Sequence, residues 1–246
     1  MKRWQWVSIG LASYAISLMV TAPAILLEPA LRNLGYPHLR LLAAQGTVWS
    51  GSATLEVLGS DERSGLSKAL AWQVLPQSLL LGQLRVMVTI DSSQTFPLTL
   101  TYSGWALEQA ELRLPAGIIG LNVERLAPLG LTGDLFVHIT TLSFKQRQLR
   151  GNATVQWHHA GSVLTPISPL GDYQFDWHRR DTRTQIALRT VQGELQLEGQ
   201  GSWAAGESAD FLVLAQVPPQ LQPQLAPLLR LIALEREAGV FELQLR

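Results

Sequence analysis

Apolar and polar residues alternate in run after run of this chain. A period of two is the period of a strand, since a helix needs one of 3.6. In residues 82–90, Leu84, Val86, Val88 and Ile90 share one face, while Gln83, Arg85 and Thr89 take the other. The texture recurs after Gly133 with Leu135, Val137 and Ile139, after Gly151 with Ala153, Val155 and Trp157, and after Gly193 with Leu195 and Leu197. Because glycine tolerates positive φ, a glycine ahead of successive alternating runs predicts hairpins or bulged strand starts. With further runs at 46–58, 66–75, 95–103, 105–114, 172–179, 183–190, 208–216 and 239–245, about a dozen strands are expected. Twist accumulating over so many strands rules against a flat sheet. The predicted fold is therefore mainly β, a curved, mostly antiparallel multi-stranded sheet shaped as an open trough or incomplete barrel. Residues 118–129 and 221–236, the latter with Leu225, Leu228, Leu229 and Ile232 at helical spacing, are predicted as two short helices capping it.

Ahead of the alternating runs, residues 4–27 carry no charged side chain and follow Met1, Lys2 and Arg3. At ~1.5 Å per residue a helix of that length reaches about 36 Å, enough to cross a hydrocarbon core of roughly 30 Å. Lys2 and Arg3 next to the span predict a cytoplasmic N-terminus, with the remainder across the membrane. A cleaved signal peptide is the competing reading, since Thr21-Ala22-Pro23-Ala24 offers small residues. The length of the apolar run and Pro23 argue against it. The expected organisation is a cytoplasmic N-terminus (1–3), a transmembrane signal-anchor helix (4–27), a connector (28–45) and one periplasmic β-domain (46–246).

The chain has 19 basic and 19 acidic residues, and without Lys2 and Arg3 the balance is 17 to 19, so no basic excess argues for nucleic acid. Cysteine is absent, which excludes disulfides, thiolate metal sites and cysteine nucleophiles. Neither a Gly-x-Ser-x-Gly elbow, a phosphate loop, a dinucleotide fingerprint nor a His-Glu-x-x-His helix occurs. Strand parity puts adjacent His158 and His159 on opposite faces, with His159 on that of Val155 and Trp157, so they cannot chelate one metal. No catalytic residue, cofactor or metal is expected. The residues Leu84, Val86, Val88, Leu135, Val137, Val155, Trp157, Leu195 and Leu197 form a candidate apolar trough suited to acyl chains. The alternative is that they fill a closed core.

The ordered motifs Gly46-Thr-Val-Trp49-Ser-Gly51-Ser-Ala53, Leu70-Ala-Trp72-x-x-x-Pro76-x-x-Leu79-Leu80-x-Gly82, Leu149-Arg-Gly151-x-Ala153-x-Val155-x-Trp157, Pro169-Leu-Gly-Asp-Tyr173 and Val191-Gln-Gly193-Glu-Leu195-x-Leu197-x-Gly199 resemble the type II secretion system protein N family. The resemblance implies a non-enzymatic, inner-membrane bitopic protein of Gram-negative bacteria. Its expected role is structural or assembly work in the export of folded proteins across the outer membrane. Other secretion-system envelope proteins and the inner membrane are the implied partners. Gly46, Trp49, Gly51, Trp72, Pro76, Gly82, Gly151, Trp157, Gly171 and Gly193 carry the motifs and are read as structural. Gln192 stands where a second glycine is expected, which predicts a less pronounced bulge. The glycine-led strands are also similar to the AsmA-like envelope proteins, which implies the alternative of a lipid-binding or lipid-transfer module with phospholipid or lipopolysaccharide as partner.

Overall fold

The computed structural model describes residues 3–33, 39–58, 65–91, 94–122, 126–145, 148–180, 182–204, 207 and 210–245. The chain is mainly β, its strands antiparallel and its helices few, and it divides into two compact units, Met1–Thr95 and Phe96–Arg246. Fourteen strands are present among the described residues.

The first unit opens with helix α1 (Arg3–Val20), a 3-10 turn (Ala24–Leu26) and α2 (Leu27–Asn33). The helix expected over 4–27 therefore stops at Val20. Pro23 is the cause: it has no N–H to continue the helix, it sits at φ −72° and ψ 147°, and a proline pushes its predecessor toward extended backbone. Among the described residues no helix is long and apolar enough to cross a membrane. Four strands follow, β1 (Leu39–Gly46), β2 (Ser50–Leu58), β3 (Gly65–Leu75) and β4 (Gln83–Ile90), each paired antiparallel with the next. The connector expected over 28–45 holds α2 and nearly all of β1. A bulge between Leu42 and Gln45, with Ala43 at φ 51°, breaks the alternation of β1 and hides it from a period-two reading. Ala24, Leu41, Ala53 and Trp72 form the core of this unit, with Leu27 and Leu31 packed against them.

The second unit carries β5 (Thr95–Thr101), β6 (Gly104–Pro115), α3 (Ile118–Asn122), β7 (Leu131–Lys145), β8 (Gln148–Ser162), β9 (Gly171–Arg180), β10 (Arg183–Gly193), β11 (Gln196–Ala204), β12 (Phe211–Gln216), α4 (Gln222–Leu229), β13 (Leu234–Glu237) and β14 (Val240–Leu245). Strands β5 to β12 lie in chain order, and β14 sits between β12 and β13. The helix expected over 118–129 is α3 plus a 3-10 turn at Ala127–Leu129, and the one expected over 221–236 ends at Leu229 and gives way to β13. Strand β13 is short and exposed, Leu-Glu-Arg-Glu, the kind of charged edge that discourages further strand addition.

Of the glycines expected at bulged strand starts, Gly133 is one and Gly193 is not. Gly133 lies inside β7 at a register shift, at φ 107°, and a Cβ there would come within 2.8 Å of the Trp157 indole nitrogen and 2.6 Å of the His158 carbonyl. Gly193 ends β10 opposite Gly171, beyond a bulge between Thr190 and Gln192 that forms despite Gln192. A second bulge between Trp157 and Ala160 places His159 at φ 50° and leaves it exposed, so its expected place on the face of Trp157 is corrected by the irregular backbone.

Asp172 fastens this second bulge. One carboxylate oxygen accepts the His159 backbone N–H at 2.8 Å, and the other lies 3.4 Å from His158 Nδ1. The backbone hydrogen bond foremost, then His158, holds the Asp172 carboxyl below its ordinary value against the opposing effect of burial. Its stabilisation is therefore full above the unfolded carboxylate pKa of about 3.9 and is lost as pH falls through the lower folded value. Asp172→Asn is expected to cost about 1 kcal/mol at neutral pH and to lose that deficit in acid. Urea unfolding at pH 7 and pH 3 compares the two, and a deficit undiminished at pH 3 would contradict the role.

Candidate functional site

In the first unit the motif residues form one knot. The β1–β2 turn is closed by the Thr47 N–H donating to the Ser50 carbonyl at 2.8 Å, with Gly46 at φ 88°. Trp72 on β3 lies under this turn, 8% exposed, and its indole N–H donates to the carbonyls of Val48 at 3.1 Å and Thr47 at 3.3 Å. Gly51 makes room for that ring, since a Cβ there would stand 2.6 Å from it. From the same turn, the Trp49 indole donates to the Met19 carbonyl at 2.8 Å, satisfying one of the carbonyls left open at the C-terminal end of α1. The Val48 N–H donates to Ala22 O at 2.9 Å, and Pro23 forms a β-bridge with Thr47. The tryptophans thus tie the end of α1 to the sheet of its unit.

Pro76 opens the 3-10 turn Pro76–Leu81, and Gly82 closes it in the left-handed conformation. Ser78 holds this loop, its hydroxyl donating to Leu75 O at 2.6 Å and accepting from the Arg85 N–H at 2.9 Å. Leu80 and Leu81 are 90% and 78% exposed, and Leu79 is exposed as well. The loop leaves β3 just beyond Val74, whose N–H donates to Trp49 O at 2.7 Å, so it sits at the end of the unit where α1 is tied.

Six of the nine candidate trough residues converge in the second unit. Leu135, Val137, Val155, Trp157, Leu195 and Leu197 line one apolar pocket of about 500 Å³. Ile119 and Leu129 close it from the segment after β6, and Leu228 and Ile232 from α4 and the residues that follow. Leu84, Val86 and Val88 belong to β4 of the first unit and do not line it; Val86 packs against the Trp72 core instead. The core proper lies beside the pocket, around Leu225 and Phe241, both fully buried. Val137, Val155, Phe175, Leu188 and Leu197 are only half-buried although they line the pocket. The half-buried lining leaves the space open to its surroundings rather than sealed. Apolar walls make water a poor filler.

Two polar side chains reach the pocket lining, and both are paired. Tyr173 donates its hydroxyl to Leu195 O at 3.0 Å, and burial pushes its phenol well above the ordinary value. Ser162 donates to Leu129 O and accepts the Leu164 N–H at 3.2 Å. Neither residue is signalled as a site residue by sequence, because each donates to a backbone carbonyl distant along the chain. Trp157 is fixed by its indole N–H donating to Thr132 O at 2.9 Å and by a tilted contact with the Tyr173 ring at 5.9 Å. Gly171 and Gly193 face each other across β9 and β10, and a Cβ on Gly193 would stand 2.3 Å from the Gly171 Cα. Leu170 O accepts from the N–H groups of Glu194 and Leu195 beside this pair, which fixes Leu195 at the pocket wall.

Gly151 lies elsewhere, in a shallow polar basin of about 330 Å³ with Thr141, Ser143, Arg150, Asn152, Arg179 and Arg180. A Cβ on Gly151 would stand 2.1 Å from Thr141 O. Arg179, opposite Gly151 in the β8–β9 pairing, has a buried Nε without a hydrogen-bond partner. Among the described residues no group of three or more His, Asp or Glu side chains is placed to hold a metal ion.

From residue 37 to residue 244 the sequence matches the family model described as type II secretion system (T2SS), protein N. Comparison with curated proteins and with solved structures gives no match.

Proposed function

Because the chain belongs to the type II secretion system protein N family, we propose that it is an inner-membrane-anchored structural or assembly factor of that machinery, with α1 in the membrane and both β units in the periplasm. The family match over 37–244 carries this reading. Support for the anchor comes from α1 itself: Trp4, Trp6, Leu11, Tyr14, Leu18, Met19 and Val20 are all exposed. A helix with apolar residues exposed around its circumference suits a lipid surrounding. At 18 residues and about 27 Å, α1 falls short of the length and apolarity that crossing a ~30 Å hydrocarbon core asks of a helix, so the proposed anchor rests on its exposed apolar side chains and the family match rather than on its length. Retention of the helix is favoured by the packing of the segment after it, since Ala24 is buried in the first unit and Ala22 is hydrogen-bonded there.

The exposed loop Pro76–Leu81 extends the anchor. It lies at the end of the unit where α1 is tied, and its three leucines suit the bilayer interface. Leu80→Asp with Leu81→Asp is expected to leave the protein in the membrane fraction but to expose the loop to added protease, whereas deletion of residues 3–20 releases the chain into the soluble fraction. Fractionation with protease digestion checks both. A soluble, folded wild-type chain would sink the anchor.

Partners would add to β1, which pairs only with β2 among the described residues and is far less charged than β13. Photocrosslinking in cells from Leu42, exposed on β1, tests this. Adducts to secretion-system envelope proteins are the expected result, and adducts no different from those at fully exposed Tyr102 would contradict the reading.

A further inference from the structure

The pocket of the second unit has a volume, a lining and an absence of free hydroxyl donors that together select a guest. We propose that it is a binding site for one acyl chain of a membrane lipid, the head group remaining outside. Both hydroxyl side chains in the lining already donate to backbone, Tyr173 to Leu195 O and Ser162 to Leu129 O, so among the described residues the lining offers a guest no free hydroxyl donor. An extended peptide would bring C=O groups into a space that offers them no such donor. A helical guest satisfies its own backbone only along its length. With a diameter of about 10–12 Å and a 5.4 Å pitch, a single turn takes roughly 400–600 Å³. The pocket's 500 Å³ therefore admits about one turn, which has its end groups unsatisfied. A hydrocarbon chain carries no such groups. Taking each methylene at about the ~30 Å³ that a water molecule occupies, the volume suits on the order of 16 carbons.

The surroundings of the pocket fit the same guest. Val163 and Leu164 follow Ser162, and Leu231 and Leu234 flank the lining residues Ile232 and Ala233; all four are exposed apolar side chains. They supply an apolar approach on the two segments that border the space. This inference rests on the second unit alone and stands or falls separately from the role in secretion.

The test places a benzophenone amino acid at Leu197, in the pocket, and in a separate strain at Val191, exposed on the β10 bulge, in the full chain in its own membrane. After irradiation in cells and denaturing purification, intact mass identifies the adducts. Lipid adducts are expected at Leu197 in about tenfold excess over Val191, with the mass distinguishing a glycerophospholipid from a lipopolysaccharide chain. Filling the pocket with Val155→Trp is expected to cut the Leu197 adduct about fivefold with the melting temperature retained. Equal lipid labelling at the two positions, protein adducts alone at Leu197, no adduct at all, or an undiminished adduct in the folded Val155→Trp chain would overturn the proposal.

Discussion

Replacing Trp72 with alanine is expected to destabilise the first unit by about 3–5 kcal/mol, a large part of what a domain of this size has. The ring is the largest side chain in a small core of Ala24, Leu41, Ala53 and Trp72. Its indole N–H is also a donor to two carbonyls of the β1–β2 turn, and their loss loosens the turn that carries Trp49 and so the tie to α1. Trp72→Phe separates the two contributions: it keeps most of the buried ring and removes the donor, with an expected cost of about 1–2 kcal/mol. Urea unfolding of the full chain in lipid nanodiscs, followed by tryptophan fluorescence and by protease sensitivity of residues 39–90, gives both numbers. If the alanine variant lost less than the phenylalanine variant, the indole would not be the centre of the knot.

The second large effect is expected at Gly193. A valine there takes on a backbone of φ 139° that side chains rarely adopt, and its Cβ meets the Gly171 Cα at 2.3 Å and Leu170 O at 2.6 Å. Backbone strain and steric overlap each cost about 1–3 kcal/mol, so a total of about 3 kcal/mol or more is expected. The damage is local in a useful way, because Leu170 O holds the N–H groups of Glu194 and Leu195, and Leu195 is pocket wall. Hydrogen exchange is expected to rise first at residues 170–173 and 193–197. A variant with native exchange in those segments would show that the glycine pair is not needed.

Period-two alternation identified most of the strands, because a strand with one covered face records that face in its sequence. Two strands escaped it for opposite reasons. Strand β1 contains a bulge at Ala43 that interrupts the alternation, and β13 is so charged that its four residues continue the helical pattern ahead of them. The same bulge physics moved His159 off the face that simple counting assigned to it. The expected helix over 4–27 exceeds α1 because lack of charge does not ensure continuity, and Pro23 ends it. The resemblance drawn from the glycine and tryptophan motifs holds over residues 37–244.

The candidate lining was legible only as a list of inward-facing residues. Parity says that Leu84 and Leu135 each occupy the apolar side of a strand, but it does not say that their strands belong to different units. That division gives Val86 to the Trp72 core and leaves Leu135, Val137, Val155, Trp157, Leu195 and Leu197 around one space. The hydrogen bonds that fix the site were out of reach for a related reason. Trp49 to Met19 and Tyr173 to Leu195 join side chains to backbone atoms some 20 to 30 residues away, 30 and 22 by count, and no local pattern encodes such a partner.

Export itself is the most direct measurement. In a strain lacking this chain, the proposed role predicts that folded substrates of the type II pathway accumulate in the periplasm, and that the wild-type chain restores their release while the Trp72→Ala variant does not. Unchanged release of those substrates in the deletion strain would contradict a role in secretion.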